Sequence, residues 1–124
     1  MEFDELSRRV IGCAIEVHRE LGPGLLESAY LQCLAHELTL AGIKVYTEVG
    51  MPVEYKAVKL GCGYRADLVI GNRELLVELK SVEQVLSVHE AQILTYMKIS
   101  GIRIGLLINF NVPVLKRGLR RYVL

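Results

Sequence analysis

Two acidic residues and a lysine flank one turn of the chain. Asp67 precedes the Gly71-Asn72 turn, and Glu78 and Lys80 follow it. Residues two apart on a strand share a face, so Glu78 and Lys80 point to the same side. If strand pairing also puts Asp67 on that side, two carboxylates and an amine converge in one place.

Such a group has a defined chemistry. Two converging carboxylates favour Mg²⁺ or Mn²⁺, because hard cations prefer oxygen ligands and the cation relieves the repulsion between the acids. Lys80 beside them would lie near an attacking water or a scissile phosphate, where an ammonium orients the water or stabilises negative charge. The alternative is a salt-bridge cluster on an exposed sheet face. For Asp67, Glu78 and Lys80 alone, that alternative is favoured, since such residues are common.

Helical periodicity marks the first third of the chain. Apolar residues recur at helical spacing over residues 4–21, and Gly22-Pro23-Gly24 ends the pattern. A second helix is predicted over residues 26–41, with Gly42 as its C-terminal cap. Its apolar stripe consists of Leu26, Tyr30, Leu34 and Leu38.

After Gly42 the hydrophobic period changes from helical to two. The alternation and the intervening turns predict an antiparallel meander that ends in the two strands around Gly71-Asn72. Its strands are predicted over residues 43–48, 53–59, 64–70 and 73–80.

The last third returns to a helix and then to strands. A helix is predicted over residues 87–100, opened by a capping box of Ser87 and Glu90. The apolar run 102–110 predicts a strand covered on both faces, and 114–124 predicts an edge strand rich in lysine and arginine. Helices should therefore cover both sides of a mixed sheet.

Composition limits the class of protein. The chain has 124 residues, of which 52% are hydrophobic and 23% charged, and it carries a net charge of +1. These values predict one globular domain over residues 1–124, and they give no sign of a strongly basic surface. No apolar run is long enough to span a bilayer, and the acidic N-terminus does not resemble a signal peptide, so a cytoplasmic location is expected. Cys13, Cys33 and Cys62 are predicted to be reduced thiols packed as small apolar groups.

Further motifs elsewhere in the chain support a catalytic interpretation of Asp67, Glu78 and Lys80. The chain resembles the GxxExxY proteins, a small-domain branch of the PD-(D/E)xK nuclease-like superfamily, from about residue 6 to residue 124. The naming motif is the segment from Gly24 through Glu27 to Tyr30. The superfamily core signature is matched by Tyr64-Arg65-Ala66-Asp67-Leu68 and Val77-Glu78-Leu79-Lys80. Gln92 and Tyr96 resemble the Gln-x-x-x-Tyr motif of the RecB-type and phage-exonuclease branch.

The resemblance implies a fold and a role for each matching residue. The fold would be α/β (α+β), with a restriction-endonuclease-like mixed β-sheet flanked by helices and an αβββαβ core. Asp67 and Glu78 would hold the metal together with the backbone carbonyl of Leu79, and Lys80 would be catalytic. The resemblance further assigns Glu27 to the acidic position of the first core helix, as a catalytic residue that would reach the metal directly or through water. It assigns Gln92 and Tyr96 to site support or substrate phosphate.

For some of the candidate site residues, a purely structural role is an alternative to the functional one. Glu27 would also suit the helix dipole, and Tyr30 is more consistent with a core position. Gln92 and Tyr96 would also fit a polar helix edge. Arg65 either contacts phosphate or pairs with an acid, and His89 is interpreted as a polar residue at a helix start.

The functional prediction is a nuclease that hydrolyses phosphodiester bonds of nucleic acid, with DNA favoured and Mg²⁺ or Mn²⁺ as cofactor. A homodimer is expected from the resemblance. One alternative is a non-catalytic module of the same fold that binds nucleic acid or docks on a partner. A further alternative is a structural subunit that dimerises through residues 114–124.

Overall fold

The computed structural model describes residues 4–61 and 63–124, and within them it contains three α-helices and seven strands. The helices are α1 (Glu5–Leu21), α2 (Glu27–Leu40) and α3 (Ser87–Ser100). The strands are β1 (Val45–Gly50), β2 (Val53–Tyr55), β3 (Val58–Leu60), β4 (Arg65–Ile70), β5 (Leu75–Lys80), β6 (Ile104–Asn109) and β7 (Leu119–Val123).

The ends of the first two helices follow from local chemistry. Asp4 begins α1, and its Oδ2 accepts the N–H of Ser7 at 3.0 Å. Gly42 follows α2 in the left-handed conformation, with φ at 74°, which confirms its predicted capping role. Leu26 was predicted in the apolar stripe of α2, and this was wrong. The backbone of Leu26 is still extended, so its side chain does not join the helix face and is exposed.

Five strands form one mixed sheet in the order β1-β4-β5-β6-β7. β5 and β6 are parallel, because α3 connects them as a crossover, and the other neighbours are antiparallel. One face packs on α1 and α2 through residues such as Leu34 and Leu68. The other face packs on α3 through residues such as Ile93 and Leu107. The prediction of a mixed sheet covered on both sides is therefore confirmed.

The core order of helix, three strands, helix and strand is also confirmed, from α2 to β6. The predicted four-strand meander is wrong, however. β1 pairs with β4 and skips the two strands between them. Residues 53–59 do not form one strand, because Lys56 and Ala57 adopt left-handed φ values of 48° and 65° and reverse the chain. The result is the β2–β3 hairpin, which forms a separate two-stranded sheet.

Two predicted turn features are shifted. The connection between β4 and β5 is a four-residue loop, Gly71–Glu74, and not a two-residue turn, because the strand register pairs Ile70 with Leu75. The first residue of α3 is Ser87, so the predicted capping box is wrong. The residue before the helix is Leu86, whose N–H donates to Nδ1 of His89 at 3.0 Å. His89 thus has the predicted position of a polar residue at a helix start.

The end of the chain was predicted as one edge strand over 114–124. The structure instead contains a 3₁₀ helix, Leu115–Gly118, followed by β7. Gly118, the last residue of this 3₁₀ helix, lies so close to β6 that a Cβ there would be 2.1 Å from the backbone oxygen of Asn109. β7 does lie at the edge of the sheet, as predicted.

Helix α3 packs unusually close to β6. A Cβ on Gly105 would lie 2.6 Å from Sδ of Met97 and 3.2 Å from Cδ1 of Ile93, so a larger residue would require these two side chains to shift. The close packing holds α3 beside β5, the next strand of the sheet.

Two remaining expectations concern membranes and cysteines. No helix in the described part of the chain has the length and hydropathy needed to cross a bilayer. Cys13 is a buried thiol, as predicted, but Cys33 is exposed. Cys33 lies off the buried stripe of α2 formed by Tyr30, Leu34 and Leu38. Cys62 lies outside the described residues.

Candidate active site

The site lies where β4 and β5 separate. Their backbone pairing runs from Ile70↔Leu75 to Leu68↔Val77 and goes no further. Beyond it, β4 stays paired with β1 and β5 stays paired with β6. The two halves of the sheet therefore form a fork.

Asp67 and Glu78 fill this fork with their carboxylates. Oε1 of Glu78 accepts the backbone N–H of Asp67 at 2.9 Å. Oδ2 of Asp67 accepts the N–H of Leu79 at 2.8 Å. If the two strands stayed paired, these N–H groups would donate to backbone carbonyls, and here the two carboxylates accept them instead. As a result, two acids from neighbouring strands are held together.

The fork is an unfavourable place for two negative charges. Burial raises the pKa of Glu78 to about 8, and the Asp67 carboxylate contributes to this rise. Burial also raises the pKa of Asp67, although the Leu79 N–H and the Lys80 ammonium act in the opposite direction. Without a cation, the two acids therefore share a proton at neutral pH.

This raised pKa predicts a specific pH dependence of stability. The folded pKa of Glu78, about 8, lies above its ordinary value of 4.5, so between these pH values the folded state binds more protons than the unfolded state. Glu78 therefore contributes stability at low pH that is lost as the pH rises through 8. Between pH 5 and pH 8.5, we expect the free energy of unfolding of wild type to fall by on the order of a few kcal/mol relative to that of Glu78→Gln.

The measurement is urea unfolding of both proteins in EDTA at several pH values. Glu78→Gln is a suitable comparison because its amide oxygen can still accept the Asp67 N–H. A stability difference between the two proteins that does not change with pH would contradict the shared-proton description.

Lys80 and helix α3 complete one side of the site. Nζ of Lys80 lies 3.5 Å from Oε1 of Gln92, a long hydrogen bond. Nε2 of Gln92 donates to the Tyr96 hydroxyl at 3.2 Å. Burial raises the pKa of Tyr96, and the Glu78 carboxylate adds to this effect. The structure therefore brings Lys80, Gln92 and Tyr96 together beside the two acids.

Glu27 approaches from the other side of the sheet. Tyr30 is fully buried, as its core interpretation predicted, and stacks on Phe110 with ring centroids 4.3 Å apart. Its hydroxyl donates to the Gly22 oxygen at 2.6 Å and accepts the Leu25 N–H at 3.1 Å. Tyr30 thereby fixes the loop that leads into Glu27.

A second contact ties this loop to the end of β5. The Ser81 hydroxyl donates to the backbone oxygen of Leu25 at 2.5 Å. Ser81 directly follows Lys80, so the contact holds the start of α2 near the fork. The Glu27 carboxylate is exposed, and its charge raises the pKa of Asp67 as a secondary cause. Leu26, the residue that precedes α2, provides no side-chain hydrogen bond to the start of the helix.

The donor set suits a hard cation with open positions. Mg²⁺ is commonly held by one or two carboxylates together with water, and the buried pair of Asp67 and Glu78 has the charge repulsion that a cation relieves. Within residues 4–61 and 63–124, no group of three or more His, Cys, Asp or Glu side chains is arranged to hold a metal. Glu27 therefore does not form such a group with Asp67 and Glu78.

The remaining predicted residues are placed differently. Arg65, at the start of β4, is exposed, and in the described residues it forms no ion pair with Asp67 or Glu78. The pairing alternative for Arg65 is thus not observed. The backbone of Leu79 does lie in the fork, through its N–H.

Two supporting residues were not found from the sequence. One is Ser81, described above. The other is Asn109, which is buried opposite Lys80 and bonds both backbone groups of Val82 through its side chain. An asparagine at the end of an otherwise apolar run was the available signal for Asn109. Ser81 gave no local signal, because its partner is 56 residues away in sequence.

Comparisons with known proteins identify the family of this chain. A family model described as PD-(D/E)XK nuclease superfamily matches residues 4–122. The chain therefore belongs to the PD-(D/E)XK nuclease superfamily, and its mixed sheet with flanking helices is consistent with the restriction-endonuclease-like fold. The match leaves membership of the GxxExxY branch as a prediction. Searches of curated proteins and of solved structures gave no match.

Proposed function

We propose that this protein is a divalent-metal-dependent nuclease that hydrolyses phosphodiester bonds, with DNA as the favoured substrate. The observation that carries the proposal is the forked end of β4 and β5. There Asp67 and Glu78 meet, and the charge of Lys80 acts on both carboxylates. Superfamily membership supports nuclease chemistry and nucleic-acid binding in general.

Each residue of the fork would have a distinct role in hydrolysis. Asp67 and Glu78 would hold Mg²⁺ or Mn²⁺, with the backbone carbonyl of Leu79 as a further ligand. When bound, the cation supplies Lewis-acid polarisation of the scissile phosphate and neutralises negative charge. Lys80 would orient the attacking water and stabilise negative charge as it develops on the phosphate oxygens.

The surrounding residues would position these groups. Gln92 accepts from the Lys80 ammonium and so fixes where its charge lies. Tyr96 holds the other end of the Gln92 amide. Glu27 adds negative charge at the exposed side of the fork, where it would act on the cation through water. Arg65, exposed next to this opening, would contact a substrate phosphate.

The direct test is a cleavage assay on single-stranded DNA, duplex DNA and RNA. We expect cleavage with Mg²⁺ or Mn²⁺ and none in EDTA, because the carboxylate pair has no catalytic partner without a cation. The double variant Asp67→Asn/Glu78→Gln, purified in the same way, controls for contaminating nucleases and should be inactive. No cleavage of any substrate with either metal, or equal cleavage by the double variant, would refute the proposal.

A second candidate is a non-catalytic module that uses the same face to bind nucleic acid or a partner. One observation favours it, namely that the described residues contain no cluster of three or more metal-binding side chains. A module of this kind has no requirement for Mn²⁺. Measured Mn²⁺ binding that depends on Asp67 would therefore count against it.

A further inference from the structure

Two adjacent cavities extend from the candidate active site along α3, between this helix and the β2–β3 hairpin, and together they are called the groove. One cavity of about 680 Å³ is lined by Tyr64, Gln92 and Tyr96, among other residues. A second cavity of about 600 Å³ lies further from the site. Val53 and Ile99 line both cavities, so the two adjoin each other along α3. Gln92, the partner of Lys80, marks the end of the groove at the active site.

The half nearest the site is apolar and aromatic. Tyr64 is 48% exposed, and its ring stands edge-on to Tyr96, with the centroids 6.3 Å apart. An exposed tyrosine face beside Val53 and Ile99 is a surface on which a flat aromatic group can stack. The polar groups of Gln92 at the margin can hydrogen-bond the edge of such a group.

The far half of the groove is basic. It is lined by Lys59, Arg73 and Lys98, with Glu54 as the one acid among its described lining residues. Arg73 is already fixed, because its Nη2 donates to the Ser100 oxygen at 2.7 Å. Lys59 and Lys98 are exposed on opposite walls of the groove, one on β3 and one on α3. This half therefore attracts an anion.

We propose that this groove binds a single nucleic-acid strand and leads it to Lys80. A base unstacked from its neighbours would lie on Tyr64, and phosphates further along would lie between Lys59 and Lys98. Nucleic-acid strands combine flat aromatic bases with regularly spaced anions, which matches the aromatic half and the basic half in that order. Paired bases in a duplex have no free face to offer Tyr64. The substrate class would thus be a single-stranded or frayed end, and this inference rests on the proposed nuclease function.

The test measures binding in EDTA, where no cleavage occurs, so that its result does not depend on the cleavage assay. Fluorescence anisotropy would compare labelled single-stranded DNA, labelled single-stranded RNA and blunt duplex DNA over a range of salt concentrations. The groove variant is Lys59→Gln/Lys98→Gln. Its matched control is Lys116→Gln/Arg117→Gln, which removes the same charge from exposed residues of the 3₁₀ helix.

We expect the groove variant to bind single strands about tenfold more weakly at low salt, and to lower the slope of log affinity against log salt by about 1.4, since each single-strand phosphate contact contributes about 0.7. The control should change both values far less. Tyr64→Ala should weaken single-strand binding roughly tenfold, whereas Tyr64→Phe should bind like wild type, because stacking needs the ring and not the hydroxyl.

Four outcomes would overturn the proposal. Three of them are equal losses in the groove and control variants, no effect of Tyr64→Ala, and duplex DNA bound as tightly as single strands. The fourth is the absence of any nucleic-acid binding. Comparison of the DNA and RNA strands decides which sugar the groove accepts.

Discussion

Replacement of Lys80 by Ala should lower the cleavage rate by about a hundredfold to ten-thousandfold, the range found when a positioned proton-transfer or charge-stabilising group is removed. The charge of the Lys80 ammonium acts on Asp67 and on Glu78. Alanine removes this charge and also the contact with Gln92. The loss should appear in kcat, because the charge is needed most as the phosphate becomes more negative.

The control is Lys116→Ala, which removes an exposed lysine from the 3₁₀ helix. It should cleave at the wild-type rate. Lys80→Ala should still bind Mn²⁺, since both carboxylates remain and a repelling positive charge has gone. A Lys80→Ala protein that cleaves like wild type would remove this lysine from the mechanism.

Replacement of Asp67 by Asn should weaken Mn²⁺ binding by about a hundredfold or more, because loss of a direct ligand exceeds the tenfold to hundredfold cost of losing an outer partner. The asparagine oxygen can still accept the Leu79 N–H, so the fork should keep its shape. Isothermal titration with Mn²⁺ measures the affinity. Cleavage should fall in parallel.

Thermal unfolding supplies an independent measurement of the same change. Wild type should gain stability as Mn²⁺ is added, because a ligand that binds the folded state stabilises it by mass action. Asp67→Asn should not gain stability over the same range, although without metal it should be at least as stable as wild type, since one buried charge has been removed. Glu20→Gln, a change on the exposed side of α1, should behave like wild type in both experiments. Equal Mn²⁺ stabilisation of wild type and Asp67→Asn would place the metal elsewhere.

These expectations share one physical basis. The fork holds two acids in a place where their charges are unfavourable, and Glu78 is only 5% exposed. Such a pair weakens the metal-free protein at neutral pH and gives a divalent cation a prepared set of oxygen donors. The stability and metal-binding experiments therefore measure two consequences of the same arrangement.

Much of the fold was predictable from local patterns. Both ends of each of the three helices were predicted to within one residue, because apolar spacing and flanking residues such as Gly42 and Gly101 act over a few positions. The strands that carry Asp67 and Glu78 were predicted from alternation and from the turn between them, which are also local features. The errors concern strand pairing and turns. Lys56 and Ala57 are an example, because they adopt left-handed conformations that are normally predicted only where a glycine is present.

Alternation in the sequence predicted that Glu78 and Lys80 share one face of β5 and that Asp67 lies on the neighbouring strand, but it left the face of Asp67 undecided. Tertiary structure decided that β4 and β5 separate beyond Leu68 and Val77, which turns two strand acids into one site. It also decided that Gln92 reaches Lys80 and that Ser81 holds the loop before Glu27. Periodicity depends on residues that are close in sequence. Each of these contacts depends on which parts of the chain that are distant in sequence pack together, and a short sequence pattern does not specify that packing.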